Sequence, residues 1–134
     1  MKVKFTNFVL SIIATIMLTA VFSYSVSGQN NSHYMRIARI VIDSAQLENY
    51  TAALKEGIES AVQKEPGVLS LYAVYDKIHP THVTVFEIYA DENAYKLHIQ
   101  TAHFKKYKST VEKMVISLEL ADVAPIAIEA KTKQ

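Results

Sequence analysis

The order of hydrophobic periodicities along the chain is the feature that most restricts its fold. An alternating segment typical of a strand comes first, and apolar residues at three- and four-residue steps, typical of a helix, follow it. Two further alternating segments, a second helical region and a last alternating segment complete the order β-α-β-β-α-β. With right-handed crossovers, this order predicts an antiparallel sheet covered by helices on one face. The expected class is therefore α+β, in the ferredoxin-like arrangement.

Residues 34–65 predict the first strand and the first helix. From Tyr34 the strand MRIARIVI alternates, which places Arg39 on one face and Arg36 on the other. Asp43 or Ser44 can cap the following amphipathic helix, whose apolar residues recur from Leu47 to Val62. The helix is expected to end at the sequence Glu-Pro-Gly of residues 65–67.

Residues 68–128 predict a hairpin, a two-part helix and a last strand. Residues 68–76 and 82–90 are β-branched and aromatic, and five turn-like residues between them predict a hairpin. Asp91 and Thr101 can each cap a helical segment, so a bent or two-part helix is expected after the hairpin. The last alternating segment, residues 116–128, contains Pro125, which predicts an edge or bulged strand.

The first 28 residues have the layout of a secretory signal peptide. Lysines precede an apolar run from Phe8 to Phe22, and small and polar residues follow as far as Gly28. The alternative is an uncleaved membrane anchor, but the run is shorter than the roughly 20 apolar residues of a spanning helix. We therefore expect export to the periplasm or the medium, a polar tether at residues 29–33, a folded domain at 34–130 and a charged tail at 131–134.

Charge and cysteine content exclude several kinds of site. Loss of the first 28 residues would leave 12 basic against 13 acidic residues, so no basic excess remains for binding nucleic acid. The chain has no cysteine, and hence no disulfide, thiolate metal site or cysteine nucleophile. A domain of this size without disulfides must be stabilised by a packed core, and a second subunit could add to it.

The sheet face turned away from the helices is expected to be apolar. Leu69, Leu71, Phe86 and Ile88, or the residues alternating with them, would occupy it. Such a face is too apolar to remain in contact with water. We therefore expect two chains to pack sheet to sheet as a homodimeric barrel.

Four features between Glu65 and Tyr107 resemble the antibiotic biosynthesis monooxygenase family. They are the helix exit Glu-Pro-Gly, the strand end FEIYAD at residues 86–91, the pair Ala94-Tyr95 and the run HIQTAHF at residues 98–104. The resemblance implies a dimeric α+β barrel with a pocket between sheet and helices. It also implies oxidation of a quinol-like or phenolic molecule by molecular oxygen without an added cofactor. A non-catalytic ligand-binding protein and an isomerase of a small carbonyl metabolite are the alternatives.

His98 is the first candidate for a catalytic base. An imidazole titrates near neutrality, and oxidation without flavin or metal requires a phenolate or hydroquinone anion. A surface or packing role on a helix is the alternative for His98. His103 lies five residues later, about 140° around a regular helix, which does not suggest a metal pair. No metal site is expected, and His79 and His82 are read as solvated loop histidines.

The remaining candidates are for substrate binding. Tyrosines can contact a ring and orient a quinone oxygen, although most of them are expected in the core or an interface. Arg39 could reach either the pocket or the dimer interface, and Glu87 falls at an acidic position common in the family. The candidates beside His98 are Arg39, Tyr72, Glu87, Tyr89, His103, Phe104 and Tyr107.

Two features that the chain lacks reduce the number of reactions expected of it. Haem-degrading members of the family combine a strand-one asparagine with a tryptophan and a histidine. Here the first strand has no asparagine, the tryptophan position is His98, and the later histidine falls near Lys108. Haem oxygenation is therefore disfavoured. The chain also has only three glycines and no glycine-rich phosphate loop, so nucleotide and flavin binding are not indicated.

Overall fold

The computed structural model describes residues 33–131, which form four strands and three longer helices in the order expected from the sequence. The strands are β1 (Tyr34–Ile42), β2 (Val68–Tyr75), β3 (His82–Tyr89) and β4 (Val115–Val123). The helices are α1 (Leu47–Lys64), α2 (Glu92–His98) and α3 (Ala102–Val111), and a short 3-10 turn, Ser44–Gln46, precedes α1. The predicted two-part helix is thus present as α2 and α3.

The four strands form one antiparallel sheet in the order β2-β3-β1-β4. This order, with the helices on one face, confirms the predicted ferredoxin-like α+β class. The sheet is open, and β2 and β4 are its edges. The strand β4 lies at an edge, as expected, but it ends at Val123, so residues 124–128 of the predicted strand, which include Pro125, are not strand.

Side-chain caps fix where the helical segments begin. The Asp43 carboxylate accepts a hydrogen bond from the Ala45 amide, and Asp91 accepts one from the Ala94 amide. The Thr101 hydroxyl accepts one from the Phe104 amide at 3.3 Å. Each satisfies an amide that has no partner inside its helix. The cap at Thr101 starts α3 as a helix separate from α2.

The core lies between the sheet and the helices. One cluster joins the centre of the sheet to α1 and α3, and its buried members are Ala38, Ile40, Ile42, Tyr50, Val83, Val85 and Val111. A smaller cluster of Ala61, Val68 and Tyr89 joins the other end of α1 to β2 and β3. The register places Ala38 opposite Val85 on one side and Leu120 on the other, so one row of residues crosses three strands.

Among residues 33–131, no helix lies on the opposite face of the sheet. The register places Tyr72 beside Phe86, and the next residue on the same face of β3 is Ile88. Leu71 or a residue alternating with it was expected on this face, and the structure places the alternate Tyr72 there. Leu71 pairs with Glu87 and lines the helix side of the sheet, while Leu69 lies at a register shift in β2. That irregularity reverses the faces that simple alternation from Leu69 would give.

Two expectations concern parts of the chain near the termini. The predicted signal peptide and nearly all of the tether lie outside the described residues, as does the charged tail beyond Lys131. Within residues 33–131, no helix is both long enough and apolar enough to cross a membrane.

Candidate functional site

A cavity of about 650 Å³ lies between the helix-facing side of the sheet and the helices α1 and α3. Ala38, Ile40 and Val85 form its floor, and Leu54 and Ile58 of α1 contribute to its apolar wall. Leu118 and Leu120 of β4 lie along its edge. The polar side chains at the cavity include Arg36, Glu87, Tyr89, Tyr95, His98 and Tyr107. A mostly apolar hollow with a few converging polar groups is the usual form of a small-molecule site.

His98, the last residue of α2, is buried in the wall of this cavity. Its ring packs edge-on against Phe104 at 4.8 Å between centroids and lies 5.5 Å from the Tyr89 ring. Its Nδ1 lies 2.8 Å from Oε1 of Glu65, and because a carboxylate oxygen can only accept, this hydrogen bond requires a proton on Nδ1. The ring is therefore held in one orientation, and a neutral ring donating through Nδ1 has its lone pair on Nε2.

Glu65 reaches His98 because of the way α1 ends. As the residue before Pro66, Glu65 is restricted to extended backbone, and its φ of −110° and ψ of 108° end the helix. Its carboxylate extends toward the junction of α2 and α3, where Nε2 of His103 contacts the same oxygen as His98. One carboxylate oxygen thus joins two histidines from two helices.

The position of His103 differs from the one expected for a continuous helix. The chain leaves α2 after His98 and begins α3 at Ala102, with the Thr101 hydroxyl donating to the His98 carbonyl at 2.8 Å. The rotation of 140° therefore does not apply, and the two imidazoles lie 6.3 Å apart between centroids. Ligand atoms of Glu65, His98 and His103 all lie within 4.8 Å of one another.

A second pair of polar residues, Glu87 and Tyr89, lies on β3 at the floor of the cavity. The Tyr89 hydroxyl donates to Oε2 of Glu87 at 2.9 Å. Burial raises the pKa of the Glu87 carboxyl, although the Tyr89 hydrogen bond and the charge of Arg36 oppose this rise. Burial also raises the pKa of the Tyr89 phenol, and the nearby Glu87 carboxylate adds to the effect. Tyr89 is therefore a neutral donor at physiological pH.

Arg36 is the arginine that faces the cavity. Its guanidinium carbon lies 4.5 Å from the centre of the Tyr95 ring, within the range of a cation–π contact. Its Nε lies 2.9 Å from Oδ1 of Asp122, but the direction of that N–H does not allow a hydrogen bond. The contact is therefore an ion pair with a buried, unsatisfied donor, a group that normally requires a partner.

The structure brings together five of the eight candidate residues. His98, Glu87, Tyr89, Phe104 and Tyr107 all line the cavity. Arg39 and Tyr72 lie on the opposite face of the sheet. There Arg39 pairs with Glu119, and Tyr72 is 64% exposed. His103 lines a smaller hollow between α1 and α3, and the Glu65 carboxylate connects it to His98.

Sequence reasoning missed three residues of the site. Arg36 was placed on the same face of β1 as Ala38 and Ile40, so its strand position carried the signal, but that face was not identified as the cavity face. Tyr95 was noted in a motif and among the tyrosines able to contact a ring, but it was not selected as a site residue, and Glu65 was noted only within the helix exit Glu-Pro-Gly. No pattern in the sequence connects Glu65 to residues more than thirty positions away.

The sequence and the fold of this chain match known proteins. The family model described as antibiotic biosynthesis monooxygenase matches residues 33–110. A solved structure from Bacteroides thetaiotaomicron, assigned to the same family, is 54% identical over 76% of this chain and 97% of its own, with a TM-score of 0.73. A search of proteins with curated functions gives no match.

More distant structures share the fold. A protein from Lactobacillus acidophilus assigned as a monooxygenase is 25% identical, with a TM-score of 0.67, over 69% of this chain and 44% of its own. A Caulobacter crescentus structure at 17% identity and a TM-score of 0.68 covers 72% of this chain and 92% of its own, and it supports the fold alone. The family match spans more than half of the chain, so the protein belongs to the antibiotic biosynthesis monooxygenase family.

Proposed function

We propose that the protein is a cofactor-independent monooxygenase that oxidises a quinol-like or phenolic small molecule with molecular oxygen. The observation that carries the proposal is the buried imidazole of His98, oriented by Glu65 in the wall of a mostly apolar cavity of about 650 Å³. Family membership supports the reaction type. The cavity volume lies within the range of about 300–1,000 Å³ that is usual for small-molecule sites.

The cavity suits an aromatic ring that carries hydroxyl groups. Apolar side chains from the sheet and α1 would pack against the ring, and Phe104 and Tyr107 of α3 would close over it. Arg36 and the Tyr89–Glu87 pair offer polar contacts at the sheet side. A substrate hydroxyl could therefore be oriented between the floor of the cavity and His98.

In this proposal His98 is the general base. Glu65 accepts the Nδ1 proton, which leaves the Nε2 lone pair to remove a proton from a substrate hydroxyl. The anion that results is the species able to give an electron to oxygen. Burial of the site would keep water from competing with oxygen for the anion.

The reaction balances without any added reductant. One oxygen atom forms a carbon–oxygen bond at a ring C–H position, and the other leaves as water. A hydroquinone supplies all four electrons and ends as a hydroxyquinone. The substrate itself is therefore the electron source, which is the reason for expecting no cofactor.

The test is an oxygen-consumption assay with a panel of hydroquinones and polyphenols, run in air and under anaerobic conditions. We expect oxygen uptake and a product that carries one atom of labelled oxygen. His98→Gln should lower the rate by about 10²- to 10⁴-fold, which is the usual contribution of a general base. His82→Gln, a change at an exposed histidine of the hairpin, is the matched control.

The outcomes separate this proposal from its alternatives. Wild-type turnover by His98→Gln would exclude His98 as the base. Ligand-induced thermal stabilisation with no product by mass spectrometry would favour a non-catalytic binding protein. Exchange of a substrate α-proton without oxygen uptake would favour an isomerase.

We also propose that the protein is a homodimer formed through the open face of the sheet. Tyr72 and Val74 of β2 are 64% and 62% exposed, and Phe86 and Ile88 lie beside them on the same face. A second copy of this face would cover these residues. Light scattering of the wild type should give the mass of two chains. Tyr72→Lys should lower the measured mass to that of one chain. A wild type with the mass of one chain would contradict the proposal.

Export with removal of residues 1–28 is the remaining proposal. It depends on the apolar run between Phe8 and Phe22 and the small residues that follow it. The N-terminal sequence of the protein recovered outside the cytoplasm should begin at Gln29. A membrane-bound protein that keeps Met1 would instead support an anchor.

A further inference from the structure

Three metal-ligating side chains from three elements meet beside the cavity. Glu65 follows α1, His98 ends α2 and His103 lies in the first turn of α3. Their side chains are only 13%, 8% and 18% exposed. Nδ1 of His98 and Nε2 of His103 both contact Oε1 of Glu65, so the ligand atoms face one another rather than solvent.

The donor set suits a divalent transition metal, and Zn²⁺ in particular. Two imidazole nitrogens and one carboxylate oxygen form a common set of three protein ligands for zinc, which leaves a fourth position for water. Zinc–ligand bonds of about 2.1 Å place tetrahedral ligand atoms about 3.4 Å apart. The His98 Nδ1–Glu65 Oε1 distance of 2.8 Å would have to open by a few tenths of an ångström as the ion replaced the shared protons.

Because the His98 ring is held in place, the longer distance would require the Glu65 carboxylate to move, and His103 would have to move with it. The His98 ring is held by Phe104 and Tyr89, so it offers Nδ1 in a fixed direction. His103 borders the smaller hollow of about 80 Å³ between α1 and α3, which gives its ring room to move. A preorganised ligand next to an adjustable one is a favourable start for binding an ion.

We propose that Glu65, His98 and His103 bind one zinc ion per chain. The ion would join the end of α1 to the break between α2 and α3. The inference does not depend on the proposed oxidation chemistry, and it has a consequence for it. Zinc on Nδ1 of His98 requires the proton to be on Nε2, so a zinc-loaded His98 can donate a hydrogen bond but cannot act as the base.

The test is a zinc titration of the chelator-treated protein by isothermal calorimetry, with metal content measured by mass spectrometry. We expect one zinc ion per chain and a rise in melting temperature on binding. Glu65→Gln and His103→Gln should weaken zinc binding by roughly 100-fold or more, since loss of even an outer-shell partner costs about 10- to 100-fold. His82→Gln, in the exposed hairpin, should bind zinc like the wild type.

Two results would overturn the proposal. One is zinc affinity that is unchanged in Glu65→Gln and His103→Gln but lowered in His82→Gln, which would place the ion at the exposed histidines of the hairpin. The other is a wild type that binds no zinc. Circular dichroism checks that each variant is folded, and a Co²⁺ titration of the wild type provides a second measurement that needs no variant. Co²⁺ held by nitrogen and oxygen in a tetrahedral site gives an intense visible absorption, and its absence would also refute this site.

Discussion

The substitution Tyr89→Phe tests the energetics at the floor of the cavity. Tyr89 is almost completely buried, and its hydroxyl donates to Oε2 of Glu87 at 2.9 Å. Phenylalanine keeps the ring and its contacts with Tyr95 and His98, so the change removes one hydrogen bond and little else. The free energy of unfolding that the substitution removes depends on whether Glu87 carries a charge.

The magnitude therefore depends on pH. Burial raises the folded-state pKa of Glu87 above its ordinary value of 4.5, so the stability from its protonated form is present at low pH and is lost as pH rises through the folded pKa. The Tyr89 hydrogen bond opposes this shift, and its removal should raise the pKa further. We expect Tyr89→Phe to cost about 1 kcal/mol where Glu87 is protonated and about 1.5–3 kcal/mol where it is ionised.

The assays are urea unfolding and thermal unfolding, both followed by circular dichroism at pH 4 and pH 8. At the higher pH a loss of about 2 kcal/mol would lower the melting temperature of a domain of this size by roughly 10 °C. Glu87→Gln should remove most of the difference between the two pH values, and the double variant gives the coupling energy. Tyr75→Phe, at a tyrosine that is 61% exposed, is the control. Equal losses at both pH values would refute the reasoning.

Three further predictions concern packing and caps. Gly67→Ala should destabilise the protein by about 1–3 kcal/mol, because its Cβ would lie 2.6 Å from the Cβ of Ala94; thermal unfolding measures this. Tyr107→Phe should cost more free energy of unfolding than Tyr50→Phe, by about 1 kcal/mol in urea unfolding, because it leaves the fully buried Tyr50 hydroxyl without its partner at 3.0 Å. Asp91→Ala should cost about 0.5–2 kcal/mol by the same assay through loss of the α2 cap, and no loss would mean that the cap is replaced by water.

Local sequence signals were sufficient for most of the fold. Asp91 and Thr101 were recognised as caps from residue type and position alone, because capping depends on atoms only three residues apart. The alternation in β1 correctly separated Arg36 from Arg39. It could not identify the face that meets the cavity, since that depends on how the strands and helices pack. Alternation also left open whether Leu71 or its neighbour lies on the outer face, because a shift in register after Val68 changes which residues share a face.

The site was less predictable because its central contact is not local. His98 was selected for its chemistry, and the break after α2 was expected from Thr101. The rotation between His98 and His103 was nevertheless estimated for an unbroken helix, which placed the two rings apart. A carboxylate from α1 then provides the link between them, and the sequence separation of 33 residues leaves no periodic signal of it.

The sequence Glu65-Pro66-Gly67 explains how one turn can position the whole site. Pro66 keeps Glu65 extended, which ends α1 and directs the carboxylate toward His98 and His103. Gly67 has no side chain and so lets Ala94 of α2 approach the turn, while its carbonyl accepts a hydrogen bond from the Ala90 amide at 2.9 Å. The close approach fixes α2, and α2 carries His98. A change in this turn should therefore alter stability and the orientation of the His98 ring together, even though Pro66 and Gly67 do not line the cavity.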